Sequence, residues 1–121
     1  MATANPNQVT GRVFINVNGA RLASKEGAKL NLGGASRTGV AGDSGVHGYT
    51  EKTEIPFIEG TLSHKADTDM TAIAAWDNET ATFKTDTGQT WLLRNAWLAK
   101  PPELSKGEIS IRLEGITCER A

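Results

Sequence analysis

Between Gly33 and Gly48 the chain reads GGASRTGVAGDSGVHG, six glycines in sixteen residues, and only Val40 and Val46 there carry an apolar side chain larger than alanine. Each glycine loses more backbone freedom on ordering than any other residue, and none brings a side chain to bury in return. A hydrophobic core must therefore come from the flanking sequence. The glycine stretch itself either grips a ligand with its backbone or stays out of the core as a linker or long hairpin tip. Phosphate cradling needs a glycine loop that opens a helix, usually with a following Lys-Ser or Lys-Thr. Here Tyr49-Thr-Glu-Lys52 and a strand-like run follow instead. Gly39, Gly42, Gly45 and Gly48 recur at every third position, but one short run without proline cannot form a triple helix. Long segments of this kind in compact domains are functional or disordered.

The flanks read as strands. Val13, Ile15 and Val17 alternate into Asn18-Gly19, a dipeptide that tolerates the positive φ of a type I′ turn and predicts a hairpin. Ala28, Leu30 and Leu32 alternate as a further strand. Tyr49 to Leu62 reads as extended chain, with Pro56 and Gly60 marking it as an edge strand or a bulged one. Asp67 to Asn78 predicts the one helix, about three turns long, capped by Asp67 or Thr68, with Met70, Ile73 and Ala74 as its apolar stripe. Ala81 and Phe83 lead to a turn at Asp86-Thr-Gly88. Thr90 to Leu98 then returns with Trp91, Leu93 and Trp97 on one face and Leu92, Ala96 and Leu98 on the other, until Lys100-Pro-Pro102 stops it. Glu108 to Leu113 closes with Ile109, Ile111 and Leu113 inward. The order predicts a mainly β fold, an antiparallel sandwich or barrel of about six to seven strands with one short flanking helix and a long Gly-rich loop or hairpin.

Charge is near balance, at −1 over 121 residues, so nothing basic runs through the sequence to drive nucleic-acid or anionic-lipid binding. It is unevenly placed. Residues 1–42 hold five basic groups against one acidic, and residues 43–69 hold six acidic against two basic, which suits head-to-tail contacts between copies. The single Cys118 excludes an internal disulfide, fits a reducing cytoplasm and reads as a small buried hydrophobe. The polar opening MATANPNQ lacks a signal-peptide pattern, and no apolar run reaches membrane-spanning length, so a soluble protein is expected.

Enzyme chemistry finds little footing. His47 and His64 lack metal-ligand spacing, and Ser36, Ser44 and Ser63 lack a nucleophile elbow. The carboxylate pairs Glu51/Glu54 and Asp67/Asp69 read as a solvated face and a helix cap. Asn78-Glu-Thr80 is a sequon without a secretory route. Of Trp76, Trp91 and Trp97, the last two share a predicted strand face with Leu93 and read as core. No enzyme, cofactor or metal site is expected. A small monomeric ligand- or carbohydrate-binding β-domain using Trp76 or Trp91 stays open, and so does a hydrolase using one of the histidines.

Taken in order, several segments resemble the tail tube proteins of Mu-like and related bacteriophages. They are Gly11-Arg-Val13 with Val17-Asn-Gly19, Gly33-Gly34 with Arg37, and Gly42-x-x-Gly45-Val-x-Gly48-Tyr49. Further along come Pro56-Phe-Ile-Glu-Gly60, the helix, Thr87-Gly88 with Arg94-Asn-Ala96, and Gly107-Glu-Ile109 with Gly115 and Cys118-Glu119. The resemblance implies a polar arm over 1–10 and one tail-tube β domain over 11–121, with 33–52 as an assembly loop. It also implies a structural virion protein, made in the bacterial host cytoplasm, whose copies close into hexameric rings. Stacked rings make the hollow tail tube through which DNA is ejected, or the tube of a related contractile injection particle. Sheets shared between subunits form one barrel around the lumen, and long loops or hairpins become ordered against neighbours. Gly33, Gly34, Arg37, Gly39, Gly42, Gly45, Gly48 and Tyr49 are the implied assembly residues, loose and unpaired until partners arrive. Asp43, Glu51, Lys52, Glu54 and Glu59 are the implied lumen or ring-contact charges. The implied partners are further copies, a tape measure protein, a baseplate or tail initiator, a tail terminator and a sheath. DNA would pass without specific binding, and no membrane is involved.

Overall fold

A computed structural model describes residues 6–121; residues 1–5, half of the expected polar arm, lie outside the described residues. The described residues form eleven strands and one helix: β1 (Val13–Val17), β2 (Ala20–Arg21), β3 (Lys29–Asn31), β4 (Gly34–Gly42), β5 (Gly45–Glu54), β6 (Phe57–Ser63), α1 (Met70–Ala74), β7 (Glu79–Thr85), β8 (Thr90–Leu98), β9 (Glu103–Ser105), β10 (Glu108–Glu114) and β11 (Thr117–Arg120). The mainly antiparallel β architecture with one short helix is the expected one. Seven strands have five residues or more, and the four shorter ones left little periodicity to read.

Two layers face each other. One is β2-β1-β7-β8 with β11 also on β8; the other is β3-β6-β10 with β9 also on β10. They join at a corner where β8 meets β10 through Leu98 opposite Leu113 and Trp97 opposite Glu114. Away from that corner no pairing links β1 to β3, so the sandwich stays open there. Between the layers lie Ile15, Val17, Ile58, Leu62, Ala81, Phe83, Leu93, Ala96, Ile109, Ile111 and Leu113, with Ile73 from the helix, all buried. The period-2 alternation of β1, β7 and β10 delivers these side chains, since every second residue of a strand faces the same layer.

Local chemistry sets the ends. Asn18 and Gly19 take φ of 52° and 84°, completing the expected type I′ turn between β1 and β2. Lys106 and Gly107, at 54° and 76°, make the same kind of turn between β9 and β10. The helix is shorter than expected. Asp69, not Asp67 or Thr68, is the cap, its Oδ1 accepting from Thr71 N at 3.0 Å and Ala72 N at 3.2 Å. Thr68 is occupied elsewhere, with its Oγ1 accepting from Lys65 N. At the far end the Trp76 carbonyl accepts from Leu98 N, so the chain turns into the sheet after Ala75, and Ala74 is exposed.

Strand β8 departs from the expected faces. Asn95 has φ of 52°, and the register against β7 slips, Glu79 lying opposite Ala96 but Ala81 opposite Leu93. This bulge puts two positions of β8 where one is expected, so Leu93 and Ala96 both point inward. Trp91 and Leu98 pack against the core with them; Trp97 is not among the residues that do, and is half-buried. The expected edge or bulged strand over Tyr49 to Leu62 divides in two: its first part lies in β5, an edge strand of the two-stranded hairpin, and its second in β6. Pro56 interrupts the chain between β5 and β6, outside any ladder, and β6 then lies inside its layer, between β10 and β3.

Candidate assembly surface

The glycine-rich segment is a regular β-hairpin, so the expectation of an unpaired arm is corrected: strand β4 pairs β5 from Gly34 opposite Glu54 to Gly42 opposite Gly45. At strand rise it projects about 30 Å. Its ladder continues that of the sheet below. Asn31 faces Phe57 and, three residues further on each side, Gly34 faces Glu54, so β3-β4 and β5-β6 form one long hairpin in a single register.

A knuckle interrupts it. Pro56 has no amide hydrogen to give, and Gly33 sits at φ 70° where an added Cβ would fall 2.7 Å from Pro56 Cδ and 3.0 Å from the Glu54 carbonyl oxygen. Glycine is the one residue that fits. The buried Pro56 is anchored in turn by its carbonyl, which accepts from Gly115 N at 3.1 Å.

Above the knuckle every residue except half-buried Ser36 is exposed, and no strand among the described residues flanks either edge. Opposed residues share a face, which places Arg37, Gly39, Ala41, Val46, Tyr49 and Glu51 on one side. Ser36, Thr38, Val40, Gly48, Lys52 and Glu54 occupy the other. The first face is held by Arg37 Nε to Glu51 Oε1 at 3.1 Å and by the Arg37 guanidinium 5.4 Å from the Tyr49 ring centre. On the second, Ser36 Oγ donates to Glu54 Oε1 at 3.0 Å. Near the tip a one-residue bulge between Val40 and Ala41 accommodates His47, whose ring covers Gly42 and meets Ser44 Oγ at 3.1 Å. Val46 is 82 % and Tyr49 58 % exposed. A two-stranded ribbon in water is marginal at best, because nothing packs on either face.

The expected charges are therefore divided. Glu51 lies on one hairpin face, Lys52 and Glu54 on the other, Asp43 in the tip turn, and Glu59 on β6 below the knuckle. Glu59 Oε2 accepts from Arg112 Nη1 at 2.7 Å, Arg112 Nε reaches Glu114 Oε2 at 3.1 Å, and the guanidinium lies 3.9 Å from the Phe57 ring centre. Partial burial works against the Arg112 charge, but the hydrogen bonds to Glu114 and Glu59 outweigh it and leave its pKa raised. Sequence reading missed this cluster. Its signal lies in the spacing that puts Arg112 opposite Glu59 in the β6-β10 ladder.

A second feature is the open side of the sandwich. Between β1 and β3 lies a groove of about 690 Å³ whose apolar wall includes Val13, Phe14, Leu22, Ala28, Leu30 and Phe83. The sites of other chemistry are not assembled. His64 is exposed after β6, and the Ser44-His47 pair stands at the exposed hairpin tip with no carboxylate on the ring among the described residues. No cluster of three metal-ligating side chains occurs among the described residues. Trp76 and Trp91 are packed against the core. Cys118 is half-buried opposite Leu93, and burial, with Glu119 nearby, pushes its thiol pKa up. No helix among the described residues is long and apolar enough to cross a membrane.

Comparison with known proteins bears on these surfaces. A family model described as phage tail tube protein matches residues 6–120. The tail tube protein of Escherichia phage Mu is 40% identical over 107 residues, covering 88% of this chain and 90% of that protein. A Mu-like prophage FluMu tail tube protein from Haemophilus influenzae is 35% identical over 114 residues, covering 93% and 96%. In fold, the chain is similar to the sheath/tube terminator of an extracellular contractile injection system (TM-score 0.67, 12% identity, 99% of both chains). It is also similar to the tube-terminating cap of the anti-feeding prophage (TM-score 0.65, 12% identity, 100% of this chain and 94% of the other).

Proposed function

The chain belongs to the phage tail tube protein family, and from that premise we propose that its copies close into hexameric rings that stack into a hollow tube through which DNA is ejected into the host. The family is structural and not enzymatic, which makes this protein a component of the virion tail that associates with itself and with other tail proteins. Tape measure protein, tail initiator, terminator and sheath are the specific partners we assign, and the host cytoplasm is where assembly takes place. Residues 1–10 act as an arm and 11–121 as one domain.

The observation that carries the proposal is the projecting hairpin. Among the described residues nothing covers its two faces and two free edges, and further copies are the cover we assign. Free edges are liabilities in a monomer and docking sites in a ring, and a closed ring removes them. Gly33, Gly34, Gly39, Gly42, Gly45 and Gly48 let neighbouring backbones approach, with Arg37 and Tyr49 as the side-chain contacts. Because Glu51 and Glu54 face opposite ways, we give Glu51 and Glu59 to the channel wall and Asp43, Lys52 and Glu54 to contacts between subunits. Each of the two is matched by an arginine on its own face, Glu51 by Arg37 and Glu59 by Arg112, so the wall carries no excess positive charge to hold phosphate and DNA slides without adhering.

Negative-stain microscopy of the concentrated purified chain tests the proposal. Rings or tubes with a central stain-filled channel are expected. A monodisperse single subunit at every concentration overturns it and favours a small ligand-binding domain.

A further inference from the structure

The hairpin tip and the open groove are complementary in three respects. The groove wall is apolar, and the distal part of one hairpin face carries exposed Val46 and Tyr49. The groove rim holds Arg12, Arg21 and Lys25 against the single acid Glu26, while the tip turn carries Asp43. Among the described residues, neither guanidinium has a carboxylate partner and Asp43 has no cation; Arg21 lies 4.0 Å over the Phe14 ring, and Lys25 is held by Glu108. Two positive groups without a carboxylate partner around an apolar cleft, and one negative group without a cation beside the apolar Val46 and Tyr49, are the elements of a steered, desolvated contact. The tip does not satisfy the groove in its own chain as folded, since among the described residues β4 and β5 pair only with each other and neither contributes a residue to the groove.

We propose that the hairpin tip of one copy seats in the groove between β1 and β3 of a second copy, with Tyr49 and Val46 on the apolar wall beside Phe14 and Leu30, and Asp43 between Arg12 and Arg21. It presupposes the tube-forming role proposed above and names the acceptor for the projecting arm. Finger and cleft are different surfaces, so the contact is heterologous. Each copy offers one of each, and such contacts close into a ring or propagate along an axis instead of closing a pair. Tyrosine at the centre is a residue type that carries much of the energy of such contacts, and the rim arginines steer the approach and fix its register.

Two experiments test it, with wild-type assembly as the reference. In a Cys118→Ser background, chains carrying only Ser44→Cys are mixed with chains carrying only Ala23→Cys, a groove residue, and oxidised. Disulfide-linked mixed dimers are expected in assembled material, and their absence counts against seating. In the second, Asp43→Lys and Arg21→Glu are each expected to raise the critical assembly concentration about tenfold or more, and the double variant to recover most of the loss. Both sites are exposed, and circular dichroism verifies that each variant is folded. If wild type never assembles, the tube role itself fails. If wild type assembles but no mixed disulfide forms and Asp43→Lys assembles like wild type, the groove is not the acceptor.

Discussion

One long hairpin runs in a single phase from Lys29 opposite Glu59, past the knuckle, to Val40 opposite Gly48, yet its two halves live in different environments. Below the knuckle, Leu30 faces Ile58, which is buried completely, and β10 continues the sheet on the other side of β6. Above it, the positions in the same phase are Ser36 opposite Lys52 and Thr38 opposite Thr50, exposed or nearly so. Backbone hydrogen bonding is the same in both halves. What differs is burial, and burial supplies most of the stability of a sheet. The lower half holds the subunit together, and the upper half is left with free surface to offer elsewhere.

The largest expected effect breaks that division if it fails. Ile58→Ala should cost about 2–5 kcal/mol, a large part of what a domain of this size has. Tyr49→Ala should leave the unassembled chain within about 0.5 kcal/mol of wild type while impairing assembly. Urea denaturation of the monomer measures both, and equal losses would refute the separation. Next comes the knuckle. Gly33→Ala forces a Cβ onto Pro56 at positive φ and should cost about 1–3 kcal/mol, whereas Gly39→Ala, with open space around it, should be neutral or slightly stabilising. A thermal melt of each distinguishes a hairpin fixed at its base from one tolerant throughout. Arg112→Ala, which removes two carboxylate contacts and the stack on Phe57 in the lower half, should cost about 1–2 kcal/mol after allowing for its partial exposure. Smallest is the pair in the upper half. A double-mutant cycle on Arg37 and Glu51 should give about 0.2–1 kcal/mol of coupling at low salt and nearly none at 1 M, where screening reaches about 3 Å.

The lower half was legible because burial writes itself into alternation. Ile109, Ile111 and Leu113 had only one face to bury, and Asn18-Gly19 only one turn to make. The upper half was opaque for the converse reason: a ribbon exposed on both faces places no demand on side-chain period, so its pairing left no hydrophobic trace and read as loose. Pro56 pointed to an edge strand because a missing amide is costly inside a ladder; the fold avoids the cost by setting it in the knuckle. The helix was overread because Asp67 and Thr68 have capping side chains too, and only the tertiary bond from Leu98 to Trp76 shows where the helix must stop. Asn95 concealed the bulge that turns Trp97 away from Leu93. Of the candidate surfaces, the glycine-rich segment stood out in the sequence, while the groove did not, since it is made where two layers fail to meet.

The shared phase of the two halves of the long hairpin also restricts how such an arm can change. One residue added to a single strand above Gly33 is either taken up as a bulge, as His47 is, or inverts that strand's side chains beyond it, exchanging the Tyr49 face for the lysine and glutamate face. Growth has a frame of two: equal increments on both strands extend the reach by about 7 Å and keep each face intact. The length of an arm that keeps both its faces is thereby quantised.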